Sequence, residues 1–579
     1  MPFEADFVVP LRLHEYLVAA HWRDQKLLGP DPGLRLNYRV WRFVKSALPW
    51  LPWADDVCFI QAQGYWILDN WYLCELTGEE RFSEIARACS DAVIGLQRPD
   101  GGWDYPVRAW KGRTATVEGI WGATGLLASF RQTGEAKYLE AALKWHAYQE
   151  EQIGYLEDGE QLAVNYFAQD RRARIPNNSA LLLRLLADDL SAVIWRTGWG
   201  ADDLVFGLKA GAHGGRFAFD TFVRERFPWE TPCRETYCQL NIGHDHEDTN
   251  TFYVYQGGWL ALENAEVERQ ETSYHNTLLI DGQGQYEPPS DRSWRYPTDF
   301  VGSDGFLEAT ASSPHFDFLA ADATRRYKHI KGLNDVTRYA LFIRPNYLVM
   351  FDRIEADDPH QVEWVAHFEA PPTVEDMWIR GGSQGDYLLG IGFAAPQPFA
   401  INTGNDELPY VRVSPETPAE SVLFASVLYP TDRRGWDARP AFALVDRTPE
   451  GVLLRLQPHD GSQGVFDVVL AFEKPESPVE IGPYRFDGRV AVIVWGADNA
   501  LEKLFIYGGT FLEDISGDGQ MLIEGLGTGA PFEAIFSGEA VLASGEPAGE
   551  VTLFAPAAEQ VTLNGRPRSF SRLGHTIVF

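Results

Sequence analysis

The chain has 579 residues, about four times the length of a typical domain, and this length predicts at least two hydrophobic cores. Hydrophobic residues make up 45% and charged residues 23%, which excludes a disordered, fibrous or low-complexity protein. The 82 acidic and 50 basic residues give a net charge of −32, which argues against a general attraction to nucleic acid or anionic membranes.

Aromatic residues make up 13% of the chain, a content that suits either sugar-stacking surfaces or a large aromatic core. The five cysteines include no CxxC pair, so they predict neither a disulfide framework nor a zinc ribbon. The first residues lack the basic start and apolar run of a signal peptide, and no apolar stretch reaches about 18 residues. We expect a soluble, cytoplasmic protein, or a periplasmic or secreted one if a leader has been removed.

Between residues 11 and 189, apolar side chains recur every three or four residues, which predicts amphipathic helices, including one over NSALLLRLLADD. CELTGEERFSEIARA and FRQTGEAKYLEAALK resemble each other roughly 55 residues apart, which indicates a repeated helical hairpin. QRPDGGW resembles the turn motif of (α/α) toroids. We therefore expect residues 1–190 to form an (α/α) toroid, as an incomplete barrel.

After residue 190 the sequence pattern changes to short alternating apolar runs broken by Gly, Pro, Asn and Asp, which predicts many antiparallel strands. Their number requires stacked sheets. We expect an α+β multidomain chain, with a large antiparallel β-sandwich over residues 191–480 and a C-terminal β-sheet portion over residues 481–579.

The highest density of candidate acid, base and metal-binding residues occurs in NIGHDHEDTNTFYVYQGGWLALE. Here His244, His246 and Asp248 would share one face of a strand. A two-residue hairpin turn at Gly257-Gly258 would place Glu263 opposite Phe252. Six extended residues span about 20 Å, so His246 can approach Glu263 only if GHDHED folds back as a loop.

His275 begins the next predicted strand, HNTLLIDG, and completes a candidate metal set with His246 and Glu263. Imidazole and carboxylate side chains suit a divalent metal, with a neighbouring histidine left as acid or base. The alternative is that these are hydrogen-bonded polar residues at strand ends.

The segments GHDHEDTNTFYVYQGGWLALE, YHNTLLIDGQGQ and RYALFIRPNYLVMFDRIEA resemble, in order, the β-domain signature of heparinase II/III-like polysaccharide lyases. The same fold occurs in alginate lyases and dermatan sulfate epimerase. The resemblance implies that His244 is the active-site histidine, and that His246, Glu263 and His275 hold zinc or manganese. The family generally has Asp where this chain has Glu263, which is one methylene longer.

In this family a Tyr and an Asn or His from the toroid meet the β-domain histidine. The run VNYFAQDRRARIPNNSALL therefore nominates Tyr166 as the catalytic phenol and Asn178 as the partner of the uronate carboxylate, with Asn177 beside it. Asn177 could equally cap a helix, and Tyr166 could be a core aromatic. Tyr237 is the next candidate, since Trp121 stands where a related segment carries the Tyr.

Basic loops in the helical half predict a positive cleft on an acidic body, because arginine binds carboxylate and sulfate bidentately. The candidate substrate-binding residues are Arg108, Arg113, Arg171 and Arg174, with Trp103 stacking on a sugar ring or packing its own loop. Solvated loop charge is the alternative for the arginines.

The resemblance implies a lyase that cleaves glycosaminoglycans such as heparin, heparan sulfate, chondroitin sulfate or hyaluronan by β-elimination. Its alternatives are an alginate lyase, a uronyl C5-epimerase and a non-catalytic carbohydrate-binding relative. We expect an anionic polysaccharide as partner, no nucleic acid and no membrane, and the sequence does not indicate an oligomer.

Overall fold

The computed structural model describes residues 8–29, 57–106, 116–152, 184–187, 191–198, 200, 202–212, 238–239, 246–263, 270–286, 295–296, 302–382, 385–396, 398–459 and 464–579. The chain divides into two compact units, Met1–Arg174 and Ile175–Phe579. Each unit is described by itself.

The first unit is helical. Its described helices are α1 Val8–His21, α2 Ile60–Thr77, α3 Glu80–Leu96, α4 Thr116–Thr133 and α5 Ala136–Gln152. A short antiparallel pair, β1 Trp22–Arg23 and β2 Lys26–Leu27, follows α1. Among these residues, no helix is long and apolar enough to cross a membrane.

The same turn joins α2 to α3 and α4 to α5. Gly78 and Gly134 both have φ near +70°, at 71° and 72°, a conformation that glycine adopts without strain. The preceding threonines, Thr77 and Thr133, each donate a side-chain hydrogen bond of 2.7 Å to a carbonyl four residues earlier. The predicted repeat of a helical hairpin is therefore confirmed.

Close backbone contact between α2 and α4 explains another glycine. A Cβ at Gly64 would lie 2.1 Å from the carbonyl oxygen of Trp121, so any larger residue would push these helices apart. Around this contact the apolar faces form one core that includes Trp66, Trp103 and Trp145. Packing of these faces, rather than helix propensity alone, stabilises such short helices.

The second unit is made of β-strands. The strands up to residue 296 are β3 Arg184–Ala187, β4 Ala192–Arg196, β5 Val205–Lys209, β6 Cys238–Gln239, β7 Thr251–Tyr255, β8 Trp259–Ala261, β9 Leu278–Ile280 and β10 Arg295–Tyr296. The next are β11 Phe306–Ser312, β12 Phe316–Asp322, β13 Leu333–Ile343, β14 Tyr347–His360, β15 Val362–His367, β16 Ala370–Glu375, β17 Trp378–Gly382, β18 Tyr387–Ala395, β19 Phe399–Asn405, β20 Pro409–Pro415 and β21 Ala419–Asp432.

The remaining strands are β22 Ala441–Arg447, β23 Gly451–Gln457, β24 Val465–Ala471, β25 Val479–Ile481, β26 Tyr484–Phe486, β27 Val490–Trp495, β28 Leu501–Tyr507, β29 Phe511–Asp514, β30 Gln520–Glu524, β31 Phe532–Ser537, β32 Ala540–Gly545, β33 Thr552–Phe554, β34 Gln560–Leu563, β35 Arg566–Arg568, β36 Ser571–Leu573 and β37 Thr576–Val578.

Five larger sheets form from these strands. Their orders are β3-β4-β5-β7-β8, β19-β20-β15-β9, β11-β12-β13-β14-β21-β18-β17-β16, β22-β23-β24-β27-β28-β31-β32-β34-β35 and β25-β26-β29-β30-β33-β37-β36, with β6 and β10 as a separate pair. Neighbours are antiparallel apart from the parallel pair β32 and β34. The predicted antiparallel β-rich region is therefore confirmed.

Three hydrophobic cores lie between successive layers. One face of the eight-stranded sheet packs against the five- and four-stranded sheets, and its other face packs against the nine-stranded sheet. The far face of the nine-stranded sheet packs on the seven-stranded one. Along β13, Val336 and Ala340 enter the first core while Tyr339 and Leu341 enter the second, because strand side chains alternate between faces.

Two predicted details of the organisation are wrong. The helix predicted over residues 178–189 is replaced, at Arg184–Ala187, by strand β3, which pairs antiparallel with β4. The boundary predicted at residue 480 cuts through one sheet, since β24 before it pairs with β27 after it. An apolar run such as LLLRLL fits a buried helix or a buried strand, and spacing alone does not separate them.

Candidate functional site

The loop before β7 folds back over the sheet, as an approach of His246 to Glu263 requires. Residues 246–250 form bends and turns rather than a strand, so the predicted strand face shared by His246 and Asp248 is wrong. The backbone of Glu247 donates to the carbonyl of Gln270 at 2.9 Å, and Asp248 pairs with Lys209 at 2.8 Å. Asn250 adopts φ 62° where the chain turns into the strand.

The β7–β8 hairpin sets the position of Glu263. The paired residues of β7 and β8 are Val254 with Ala261 and Tyr255 with Trp259, and the pairing of Glu263 opposite Phe252 stays a prediction. The Glu263 side chain itself contacts Thr251 and Tyr253. The turn has three residues rather than two, with Gly257 at φ 62° and a register irregularity at its end.

Glu263 and His275 form the centre of the candidate site. The Nδ1 of His275 lies 2.7 Å from Oε2 of Glu263, and the His275 side chain has no solvent exposure. His275 follows a short 3₁₀ turn, Thr272–Tyr274, and precedes β9 by three residues instead of beginning the strand. The His246 ring lies 5.1 Å from the His275 ring, centroid to centroid, so the three predicted residues do come together.

Hydrogen bonds hold the Glu263 carboxylate on both oxygens. Thr251 Oγ1 donates to Oε2 at 3.1 Å, and the Tyr253 hydroxyl donates to Oε1. Thr251 and Tyr253 alternate with buried core residues along β7, so both hydroxyls reach the same carboxylate from one face of the strand.

The hydrogen bonds decide the charge state of the pair. Burial alone would raise the pKa of Glu263, but the hydrogen bonds from His275, Tyr253 and Thr251 outweigh it and lower that pKa. Burial alone would lower the pKa of His275, whereas the hydrogen bond and charge of Glu263 raise it. The site therefore favours an imidazolium beside a carboxylate.

Sequence reasoning missed Asn276 and His367. Asn276 donates to the carbonyls of Phe252 and Leu262 at 2.8 and 3.0 Å, and accepts from the backbone N–H of His367 at 2.8 Å. Burial, reinforced by the charge on His275, lowers the pKa of His367 to about 4, so its ring is neutral. Only the position of Asn276 beside His275 in YHNTLL signalled a role in the sequence.

A buried arginine fixes the two loops that carry these side chains. Arg338 on β13 donates from Nη1 to the carbonyls of Asn250 and Asn276, the second at 2.9 Å. Its Nε also bonds Asp352 of β14, to which the Trp364 indole donates at 3.0 Å. Arg338 is therefore a positioning residue for the segments on both sides of the Glu263–His275 pair.

Two imidazoles and a carboxylate, as in His246, His275 and Glu263, are side chains that commonly coordinate zinc. In this arrangement, however, Glu263 takes His275 Nδ1, and the Gln270 carbonyl lies 3.3 Å from His275 Nε2. Within the described ranges, no group of three or more His, Cys, Asp or Glu side chains is arranged to hold a metal ion. The donor types suit a metal, but the present hydrogen-bonded arrangement does not fit one.

Several predicted site residues lie outside the described residues. They are His244, Tyr166, Asn177, Asn178, Arg108, Arg113, Arg171 and Arg174. Trp103 is described, and its assignment to sugar stacking is wrong. Its ring has no exposed surface, lies 5.7 Å from the Trp145 ring, and donates from Nε1 to the Val93 carbonyl at 2.9 Å.

The site falls within a segment that matches a known family. Residues 239–385 match the sequence model of the family described as heparinase II/III-like, C-terminal. The match confirms, over this part of the chain, the resemblance to the heparinase II/III-like superfamily.

Comparison with solved structures gives distant similarities. The chain is similar to a heparan sulfate lyase HepC from Pedobacter heparinus, with 14% identity and a TM-score of 0.38, covering 76% of this chain and 70% of that one. It is similar to the heparinase III BT4657 gene product, with 14% identity, a TM-score of 0.37 and coverages of 69% and 63%. A Paenibacillus xanthan lyase aligns at 9% identity and a TM-score of 0.34, covering 83% of this chain and 46% of that one.

Proposed function

We propose that this protein is a polysaccharide lyase that cleaves uronate-containing anionic polysaccharides by β-elimination, with glycosaminoglycans before alginate. The observation that carries the proposal is the family match over residues 239–385, which contains the Glu263–His275 pair and His246. We extend the proposal to the first unit, whose paired helical hairpins are the building units of an (α/α) toroid.

The reaction requires three functions. A base removes the C5 proton of the uronate, the electron pair forms the C4–C5 double bond, and the C4–oxygen bond breaks as an acid protonates the leaving oxygen. The uronate carboxylate must be hydrogen-bonded, because negative charge develops beside it. We assign the proton transfers to His244 and Tyr166, and the carboxylate contact to Asn178.

The described residues supply rigidity to this site. Arg338 bonds the backbone of Asn276, and Asn276 bonds the backbone of Leu262. The Glu263–His275 hydrogen bond fixes the imidazole against which the His246 ring packs. We propose that Arg108, Arg113, Arg171, Arg174 and Asn177 bind the polyanion and that it is steered to them on a body of net charge −32.

Incubation with heparin, heparan sulfate, chondroitin sulfate, hyaluronan and alginate tests the proposal. We expect ultraviolet absorbance from a conjugated unsaturated uronate on at least one polymer, and its loss in His244→Ala. The matched control, His575→Ala, changes an exposed histidine of the seven-stranded layer and should leave the rate unchanged. Silence on every polymer, from folded protein supplied with zinc or manganese, would overturn the proposal.

The same samples separate the alternatives. Deuterium entering C5 from solvent without absorbance would identify an epimerase, and binding that survives His244→Ala without turnover would identify a non-catalytic relative. Metal binding stays a prediction. Stoichiometric zinc or manganese in the purified protein, lost in His246→Ala and kept in His244→Ala, would establish it.

A further inference from the structure

A polar groove lies on the face of the eight-stranded sheet opposite to the candidate site. Asp335, Thr337 and Tyr339 line it, and they alternate along β13 with Arg338, which contacts the candidate site from the other face. Its volume is about 630 Å³, within the range of ligand-binding pockets. An adjoining cavity of about 430 Å³ shares Arg353, Phe472, Glu473 and Lys474 with it.

Two arginines, each backed by an aromatic ring, line the groove. The guanidinium of Arg353 lies 4.9 Å from the centre of the Phe472 ring, and that of Arg489 lies 5.6 Å from the centre of the Tyr339 ring. The Tyr339 hydroxyl donates to the Phe472 backbone carbonyl at 2.7 Å, which fixes the Tyr339 side chain to the backbone of Phe472. Stacking of this kind holds a planar guanidinium in place at little further entropic cost.

A carboxylate already neutralises each guanidinium. Arg353 bonds Asp335 at 2.7 Å, and Arg489 bonds Glu308 at 2.8 Å. Lys474 and Glu473 are exposed at the rim, so three basic side chains face three acidic ones, and the adjoining cavity adds Glu450 and Glu476. An anionic ligand would have to displace a paired carboxylate and would meet uncompensated acidic charge, while a cation would have to displace a guanidinium.

Hydroxyl groups match this lining, because each can donate to a carboxylate and accept from an N–H at the same time. Each oxygen of Asp335 accepts one hydrogen bond, from Thr337 and from Arg353, and each can accept a further one from a ligand hydroxyl. Burial and the nearby Asp322 and Glu308 raise the pKa of this carboxyl. We propose that the groove is a second binding site, separate from the lyase site, for an uncharged saccharide.

Calorimetric titration of the full-length protein with cellohexaose, maltohexaose, xylohexaose and mannohexaose tests this site. These probes carry no uronate, so their binding does not depend on the proposed lyase activity. We expect at least one of them to bind, and the double variant Glu473→Ala/Lys474→Ala at the rim to weaken it about tenfold. The matched control is Glu502→Ala/Lys503→Ala. It removes an acidic and a basic residue that are adjacent on β28 and do not line the groove, so it should change the affinity less than about twofold.

A second variant tests whether the groove itself, and not only its rim at Glu473 and Lys474, binds the saccharide. Asp335→Asn keeps the size of the groove and removes one acceptor charge from its floor, so it should also weaken binding. Absence of heat with all four hexasaccharides would overturn the proposal. Binding that neither variant alters, or binding of a uronate hexasaccharide that displaces the neutral one, would also overturn it.

Discussion

The two faces of β13 and β14 carry two arginine–aspartate pairs that differ in their exposure to solvent. Arg338 and Asp352 lie directly opposite each other in the register, and each side chain is only 1% exposed. Arg353, the next residue on β14, faces the other way and reaches Asp335, with the two side chains 18% and 20% exposed. One pair is sealed beneath the candidate site, and the other lines an open groove.

The difference shows how a single pair of strands uses charge. On the sealed face, the guanidinium bonds two loop carbonyls besides its aspartate, so hydrogen bonds from all three of its nitrogens offset the cost of burying it. On the groove face, the pair remains in contact with solvent, and water weakens the attraction between its charges. Burial therefore favours loop positioning on one face, and accessibility favours ligand contact on the other.

The sharpest test of this contrast compares Arg338→Met with Arg353→Met. Arg338→Met leaves Asp352 buried without its counter-ion and should lower the free energy of unfolding by about 3–5 kcal/mol. Arg353→Met should cost about 1 kcal/mol or less, since its pair is part-exposed. Chemical denaturation followed by tryptophan fluorescence measures both, and equal losses would contradict the distinction between the faces.

Acid provides the next test, through His367 on the sealed side. Its pKa in the folded protein is about 4, against an ordinary value near 6.5, because burial disfavours the charged ring. The stability from keeping this ring neutral is complete above about pH 6.5 and is lost as the pH falls towards 4. We expect it to amount to about 3 kcal/mol at most.

His367→Gln should remove that part of the acid sensitivity. The measurement is the free energy of unfolding at neutral pH and at about pH 4.5. Exposed His459 provides the control, and His459→Gln should follow the unmodified protein. An unchanged pH profile in His367→Gln would show that other groups cause the acid loss.

The candidate site was predictable where a local rule applies. The hairpin between β7 and β8 brings Glu263 back beside Thr251 and Tyr253, and the glycine and polar run before β7 allow the loop that brings His246 to His275. His367 was not predictable, because it lies 91 residues beyond its partner Asn276 and reaches it only through the pairing of β15 with β9. The shared sheet across residue 480 was missed for the same reason, since the pairing of β24 with β27 is not encoded in local spacing. Strand β3 was missed for a different reason: it pairs with the next strand, β4, but its apolar run fits a helix or a strand equally well.

The smallest expected effect comes from Asp335→Asn on the groove face. A carboxyl whose pKa is raised on folding binds its proton more readily in the folded state, so its ionisation weakens the fold as the pH rises through its unfolded pKa. The amide does not ionise, and Arg353 keeps Glu355 at 3.3 Å as a second partner. Relative to the unmodified protein, the variant should therefore gain stability between acidic and neutral pH, by about 1 kcal/mol or less. Burial raises the pKa of Asp352 as well, but both of its oxygens accept hydrogen bonds from the buried Arg338. Asp352→Asn replaces one of these acceptors with an amide NH₂ and leaves the Arg338 charge buried, so it should lose stability at neutral pH. Denaturation of both variants at the two pH values measures the difference, and a loss in Asp335→Asn as large as that in Asp352→Asn would mean that the groove pair is structural rather than available to a ligand.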